Sequence, residues 1–573
     1  MHYKPEEPII SPLSAIVAVV ALGFATFLAQ PGLAGGGPEN VFLLVNSASK
    51  DSLTVANHYV KLREIPASNI LFLEWDKQKG EIPGASFRDE ILLPALEEID
   101  RRGLQGQIDY LIYSCDFPWK VDFRSDFPKE KFTAGYQPQG SITGATYLWA
   151  FVKDKRKEMF GINSNNYYSM PLNGVTVSRA FRAQVRWLPG GQRADGRGIP
   201  YLLSAMLGVT YGRGNRVDEI IQYLQRAREA DGTRPSGTVY FLKHDGVRSR
   251  TRDGLFSQAV AELGLAGVKA EILPFKFPKG KQNIAGLTTG VPDFNLQQAG
   301  CRMLPGSIGD NLTSFGGVFT ENFSQTCLSE FLRHGAAGAC GTVVEPLSYP
   351  QKFPSPFVHV HYAHGCSLAE AFYQSIHAPF QQIIVGDPLC QPWAQSPEVR
   401  VAGLDGRHFT SGNLQLIPSL PPEDARPIRA FELFVDGVRY KRCRQGEQFD
   451  LDTAQFADGY HELRVVATED TPIETQGRWL GSVMVKNGHD AIQLSIDNQD
   501  QLATADYVLV KVASTQKEPA SIMGHGRKLA EVPSGNGTAR IAVDQLGSGP
   551  VTLQAIVAGE RGLVSRPLSI EIP

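Results

Sequence analysis

No Cys-x-x-Cys pair occurs anywhere in the 573 residues, which removes the common zinc-ribbon and thioredoxin arrangements. The seven cysteines, Cys115, Cys301, Cys327, Cys340, Cys366, Cys390 and Cys443, are too few for a disulfide framework at this length. Surplus positive charge is missing as well. With 56 Lys and Arg against 59 Asp and Glu, the net charge of -3 leaves nothing to track a phosphate backbone, so nucleic acid is not an expected partner. No Gly-x-Ser-x-Gly elbow, P-loop or dinucleotide fingerprint falls where a strand and a helix would support it. Beyond residue 29 no run is long and apolar enough to cross a bilayer.

What is present begins with residues 12–29 (PLSAIVAVVALGFATFLA), uncharged and apolar, followed by small residues at 32–35. Residues 1–34 read as a signal peptide, or alternatively as an anchor retained through 12–29. The expected location is therefore outside the cytoplasm: periplasm, cell surface or medium. Any membrane association runs only through that segment left uncleaved.

From residue 41 apolar runs alternate with helical patterns. VFLLV at 41–45 precedes a helix stopped by Pro66, and IDYLIY at 108–113 follows another. The alternation resumes at 201–207 and continues to 383–385, which predicts a largely parallel, covered sheet over 35–395. Residues 116–198 interrupt it as an irregular insertion with Trp119, Tyr147, Trp149, Tyr167, Tyr168 and Trp187, either a functional lobe or one packing its own aromatics. After 396 the helical period gives way to short alternating strands with turn signals such as Asp436-Gly437. That pattern predicts antiparallel, immunoglobulin-like β-sandwiches at 396–486 and 487–573, with one larger sandwich as the alternative.

Four separated blocks resemble an exported bacterial protein family with no assigned activity. They are VFLLVNSASKDSLTVANHYVKLREIP at 41–66, PGSIGDNLTSFGG at 305–317, HGAAGACGTVVEP at 334–346 and IIVGDPLCQP at 383–392. More distantly, the last third of 35–395 resembles the gingipain-like, caspase-related cysteine peptidases, which implies a layered α/β domain with a mostly parallel sheet. In those enzymes a His-Gly follows one strand and a nucleophilic Cys the next. The matching places here are Thr289-Gly290-Val291 and Thr313-Ser314-Phe315, so the dyad is absent on this alignment.

Other groups could take its place. Cys115 ends a predicted strand at the carboxyl edge, where α/β sheets put their sites, and His244 is the most natural imidazole to meet it. Ser314 is a further nucleophile candidate without a matched base. The segment HVHYAHGC, with His359, His361, His364 and Cys366, holds metal-ligand chemistry. Drawn as a strand, it turns His359 and His361 to one side, as zinc or copper would require.

The expected function is binding or assembly at the cell envelope by a dyad-lacking domain, with envelope proteins or polysaccharide as partners. The alternatives are an active cysteine or serine hydrolase built on Cys115, His244 or Ser314, and a carbohydrate-binding protein using the aromatic insertion. The residues imply no particular cofactor.

Overall fold

A continuous apolar run reads as a strand covered on both faces, and in the computed structural model residues 41–45 do lie in one. The structure describes residues 36–76, 80–172, 174–404, 409–559 and 562–573. The expected signal peptide or anchor at 1–34 lies outside the described residues. Strand β1 (Val41–Asn46) is buried along its whole length. Ser49 then caps helix α1 (Lys50–Arg63) by accepting from the Ser52 amide, and Glu64 ends it in the left-handed region at φ 56°.

Nine more strands complete the sheet. They are β2 (Ile70–Leu73), β3 (Tyr110–Tyr113), β4 (Leu203–Met206), β5 (Thr238–Leu242), β6 (Lys269–Leu273), β7 (Ile284–Thr289), β8 (Met303–Asn311), β9 (Gly338–Thr342) and β10 (Gln382–Gly386). Their spatial order is β6-β5-β7-β8-β9-β10-β4-β3-β1-β2. β5 to β9 pair in parallel, as do β1 to β4. β10 runs antiparallel to β9 over five residue pairs, Gly338 opposite Gly386 through Thr342 opposite Gln382. It meets β4 at one pair, Val385 with Met206. The fold is thus mixed α/β around one large sheet.

Helices α2 (Val217–Ala230), α3 (Phe256–Leu265), α4 (Val358–Ala363) and α5 (Leu368–Ser375) cover the strands. α5 opens with the Ser367/Glu370 capping box that its sequence announces. Gly386 has φ 131°, and a Cβ there would lie 2.2 Å from the Ala337 carbonyl, so only glycine fits before Asp387. The Asp387 carboxylate accepts the Leu389 amide at 3.1 Å, making the Asx-type turn expected of Gly-Asp-Pro. The same carboxylate takes the Arg63 guanidinium at 2.8 and 2.5 Å and the Tyr59 hydroxyl at 3.1 Å, all buried.

The insertion contains only short elements, and its aromatics face inward. Tyr147 stacks between Tyr201 and Tyr373 with centroids 4.6 and 4.0 Å away, and Tyr167 meets Trp187 at 4.6 Å. Trp119, Tyr147, Tyr167 and Trp187 are buried, so they form core and not an exposed sugar platform.

Beyond 399 two β-sandwiches follow, each with its own apolar cluster. In the first, Arg400–Ala402, Asn413–Ser419 and Phe449–Asp452 face a sheet built on Ile428–Val435, Val438–Cys443, Asp458–Glu469 and Gln476–Val485. Asp436 and Gly437 turn its first hairpin with φ 50° and 82°, both positive as a type I′ turn requires. The second repeats the plan, and a parallel contact of Asp458 and Gly459 with Leu563 and Val564 fuses one sheet of each into nine strands. Both sandwiches dock along the α/β unit. Gln107 donates to Gly437 O at 2.7 Å, and Asn57 donates to the Leu546 and Ser548 carbonyls at 2.8 and 3.0 Å.

Arg63 is the shared partner of Asp387 and Asp231. Deleting one member of a buried ion pair leaves the rest uncompensated, at about 3–5 kcal/mol. Arg63→Met is expected to lower unfolding stability by about that much, read as a lower guanidinium midpoint at unchanged m-value.

Candidate functional site

The loops that follow β1, β3, β4, β7, β8 and β9 build the edge where an α/β sheet ordinarily binds ligands. The chain reverses its winding between β1 and β3, and Asp116 sits there. Its backbone is in the left-handed region at φ 59°, and its side chain is buried. The carboxylate accepts the Ser49 and Thr210 hydroxyls, each at 2.5 Å, and its carbonyl accepts Asn46 Nδ2 at 2.9 Å. One residue therefore ties three loops together.

The neighbouring part of the edge is braced in the same manner. Asn311, at the end of β8, accepts the Val291 amide at 2.9 Å and donates to the Val291 carbonyl at 3.0 Å. Thr342 of β9 donates to the carbonyls of Thr313 and Ser314 at 3.0 and 2.9 Å. The Thr313 hydroxyl is taken by Gln325 at 2.5 Å. Arg213, in the loop after β4, reaches across to the carbonyls of Val318, Phe323 and Gln325, joining the two parts. Under them lies a buried Arg252–Asp310 ion pair. Desolvation raises the Asp310 carboxyl pKa, against which the Arg252 guanidinium works.

Four non-glycine residues on these loops have positive φ: Asp116 at 59°, Asn322 at 56°, Gln325 at 74° and Leu347 at 58°. Such conformations cost about 1–3 kcal/mol each and persist where the surroundings impose them, commonly at functional sites. The bulky Leu347 is the least comfortable of the four. Tyr211, Phe323 and Leu347 are also exposed here, at 44, 38 and 38 %.

The expected catalytic groups do not meet. Cys115 follows β3 and His244 follows β5, six strand steps apart in the sheet, or about 29 Å at ~4.8 Å per step. Cys115 is fully buried. His244 Nε2 lies 3.0 Å from the Gly290 carbonyl and donates to it, and Nδ1 accepts the Gly246 amide at 3.0 Å. Both nitrogens are engaged, so this imidazole braces two loops and has no lone pair free for general-base work. Burial pushes the Cys327 thiol above its ordinary pKa, and those of Cys340, Cys366 and Cys390 further still, opposite to what a nucleophilic thiolate needs. Ser314 is half-buried and its carbonyl is used by Thr342.

The metal reading fails on secondary structure. Residues 358–363 form helix α4, where positions two apart point about 200° away from each other. His359 turns to Thr288 Oγ1 at 3.0 Å and His361 to Ser178 Oγ at 2.8 Å. His364 also reaches Ser178, at 2.9 Å, while Cys366 Sγ accepts Gln374 Nε2 at 3.3 Å. Among the described residues no group of three His, Cys, Asp or Glu could hold a metal ion. Ser178, placed between two imidazoles, carried no local sequence signal, since its partners lie 183 and 186 residues away. It is buried, and it does not line the cavity between the insertion and the first sandwich.

Comparison with known proteins leaves this geometry to stand by itself. No family model matches the chain, and no curated protein does. Solved structures match weakly. The fibronectin(III)-like modules of Clostridium thermocellum CbhA are 11 % identical over 30 % of this chain and 92 % of theirs, with a TM-score of 0.14. A bacterial ice-binding adhesin is 10 % identical over 31 % of this chain and 65 % of its own, at 0.13. Parabacteroides merdae β-glucuronidase is 10 % identical over 63 % of this chain and 53 % of its own, at 0.14. TM-scores this low carry no inference about activity.

Burial lowers the pKa of both His359 and His361 to about 3, while the unfolded chain protonates them near 6.5. Between those values the unfolded state binds protons that the folded state refuses, so stability falls as pH drops from about 6.5 to about 3. Guanidinium unfolding at pH 7, 5 and 4 is expected to show that slope, and His359→Gln is expected to flatten it.

Proposed function

We propose that the protein is an exported, non-catalytic binding protein of the cell envelope, whose gingipain-like domain presents the carboxyl edge of its sheet to a partner. The observation that carries this reading is the state of the two loops where a peptidase dyad would stand. Thr289-Gly290-Val291 and Thr313-Ser314-Phe315 follow neighbouring strands, as a dyad requires, yet neither offers a thiol or an imidazole. The polar groups around them are consumed by hydrogen bonds between loops. Strained backbone and exposed Tyr211, Phe323 and Leu347 gather at the same edge, a combination suited to holding a partner in place. Among the described residues no helix is long and apolar enough to cross a membrane. That agrees with attachment, if any, through the N-terminal segment alone.

The sandwiches support the same reading in a specific way. Docked along the α/β unit by Gln107, Asn57 and Arg464, they stiffen it and do not extend it as a free stalk. A rigid scaffold lowers the entropy lost when loops engage a partner.

Two measurements test the proposal together. Incubation of the mature protein with cysteine- and serine-directed electrophiles is expected to leave Cys115, Ser314 and Ser178 unmodified under native conditions; stoichiometric labelling of any one would make the protein a hydrolase. Co-sedimentation with isolated cell envelopes is expected to fall several-fold in the Tyr211→Ser/Phe323→Ser variant. Undiminished sedimentation would remove the carboxyl edge from the binding role.

A further inference from the structure

A second site lies away from the carboxyl edge, where the insertion meets the first sandwich. Arg179, Arg193, Arg429 and Glu474, with Gly191 and Pro472, surround a cavity of about 250 Å³. Glu474 sits in the tight turn between Asp458–Glu469 and Gln476–Val485, buried, with its backbone at φ 53°. One of its oxygens already accepts both Arg193 at 2.8 Å and Arg429 at 2.5 Å. Arg429 is further occupied by Asp470 at 2.8 Å. Buried Arg182 belongs to Asp109 and comes no nearer to Glu474 than 3.7 Å.

Arg179 is left over. Its guanidinium donates to the Gly190 carbonyl at 3.2 Å, and among the described residues no carboxylate lies within 4 Å of it. Burial pushes its pKa down, Tyr167 works against that, and the neighbouring Arg193 charge adds to the lowering. The buried Nε of Arg193 also has no hydrogen-bond partner. Gly191 makes the approach possible: with φ 69°, it would place a Cβ 2.9 Å from Arg179 Nη1. Arg179 therefore brings a cation without a carboxylate to a space whose one carboxylate already holds Arg193 and Arg429 through Oε1.

We propose that this pocket binds the phosphate or sulfate group of an anionic ester, with Arg179 as its principal donor. Guanidinium forks match such oxyanions in geometry as well as charge, and donors arriving from different elements suit a tetrahedral group better than a planar one. The cavity is smaller than the ~300–1,000 Å³ that encloses a whole drug-sized ligand, so it takes one charged group of a larger molecule. Its walls come from the insertion and the first sandwich, so an occupied site also clamps the two together.

The test is calorimetric titration of the full mature chain with inorganic phosphate, sodium sulfate and sodium acetate at pH 7 and matched ionic strength. Phosphate or sulfate is expected to bind saturably, and whichever binds more tightly names the ester. Arg179→Gln is expected to weaken binding about tenfold or more, the loss of a charge-assisted donor. Arg179→Lys should recover part of it, and Arg444→Gln, on an exposed loop, should bind as the parent does. Gly191→Ala is the second variant, expected to weaken binding by displacing Arg179 while leaving its charge in place. Acetate binding as tightly as phosphate would overturn the ester assignment. Equal binding by the parent and by both pocket variants, or heats that sodium chloride reproduces, would overturn the site itself.

Discussion

The buried contact of Arg63 with Asp387 holds the α/β unit together, because it joins the end of its first helix to the end of its last strand. The two residues are 324 apart in sequence. β10 is the strand inserted between the two parallel runs, and its position decides that β9 and β4 can belong to one sheet. Such a pair loses hydration on burial, and the loss is offset only when the remaining lone pairs and donors are used. Here they are: Tyr59 and the Leu389 amide take the other Asp387 oxygen, and Asp231 takes the far side of Arg63. Gly386 is then obligatory, since a side chain there would collide with the strand that Asp387 must pass.

With the sheet closed in this order, the fate of the candidate catalytic groups follows from distance alone. Cys115 and His244 both end strands, and in sequence nothing separates them from a working pair. Strand order separates them, because β4, β10, β9, β8 and β7 all stand between β3 and β5. The loops that do become neighbours, after β7 and β8, carry hydroxyl and amide side chains, and Asn311 uses its amide to tie one to the other. An edge so fully cross-linked is suited to presenting a fixed surface.

Much of the architecture was legible in local pattern. The run at 41–45, the capping box at Ser367 and the Asp436-Gly437 turn each correspond to an element whose physical cause is a few residues long. The misread segment is instructive. Val358-His359-Val360-His361-Tyr362 alternates with the period of a strand, but the chain coils there, and each imidazole finds a separate hydroxyl, Thr288 or Ser178. A period of two over five residues cannot outweigh tertiary contacts that satisfy two buried histidines. The aromatic insertion was open to either of two readings, and burial of Tyr147, Tyr167 and Trp187 decides for the packed one.

The arginine cluster was illegible for a different reason: its members come from the insertion and from two strands' ends of a sandwich more than two hundred residues later. A net charge near zero also conceals local imbalance. The 56 basic and 59 acidic residues nearly cancel over the whole chain, and that total hides a guanidinium such as Arg179, whose pKa burial pushes down. A purely structural seam is served as well by an apolar or neutral side chain at that position, because a half-buried guanidinium without a carboxylate destabilises the seam it occupies. A cation kept under that penalty, with a glycine beside it that clears its path, makes physical sense when an anion arrives from outside. The same seam that fixes the first sandwich against the insertion is then where a ligand would be felt by both.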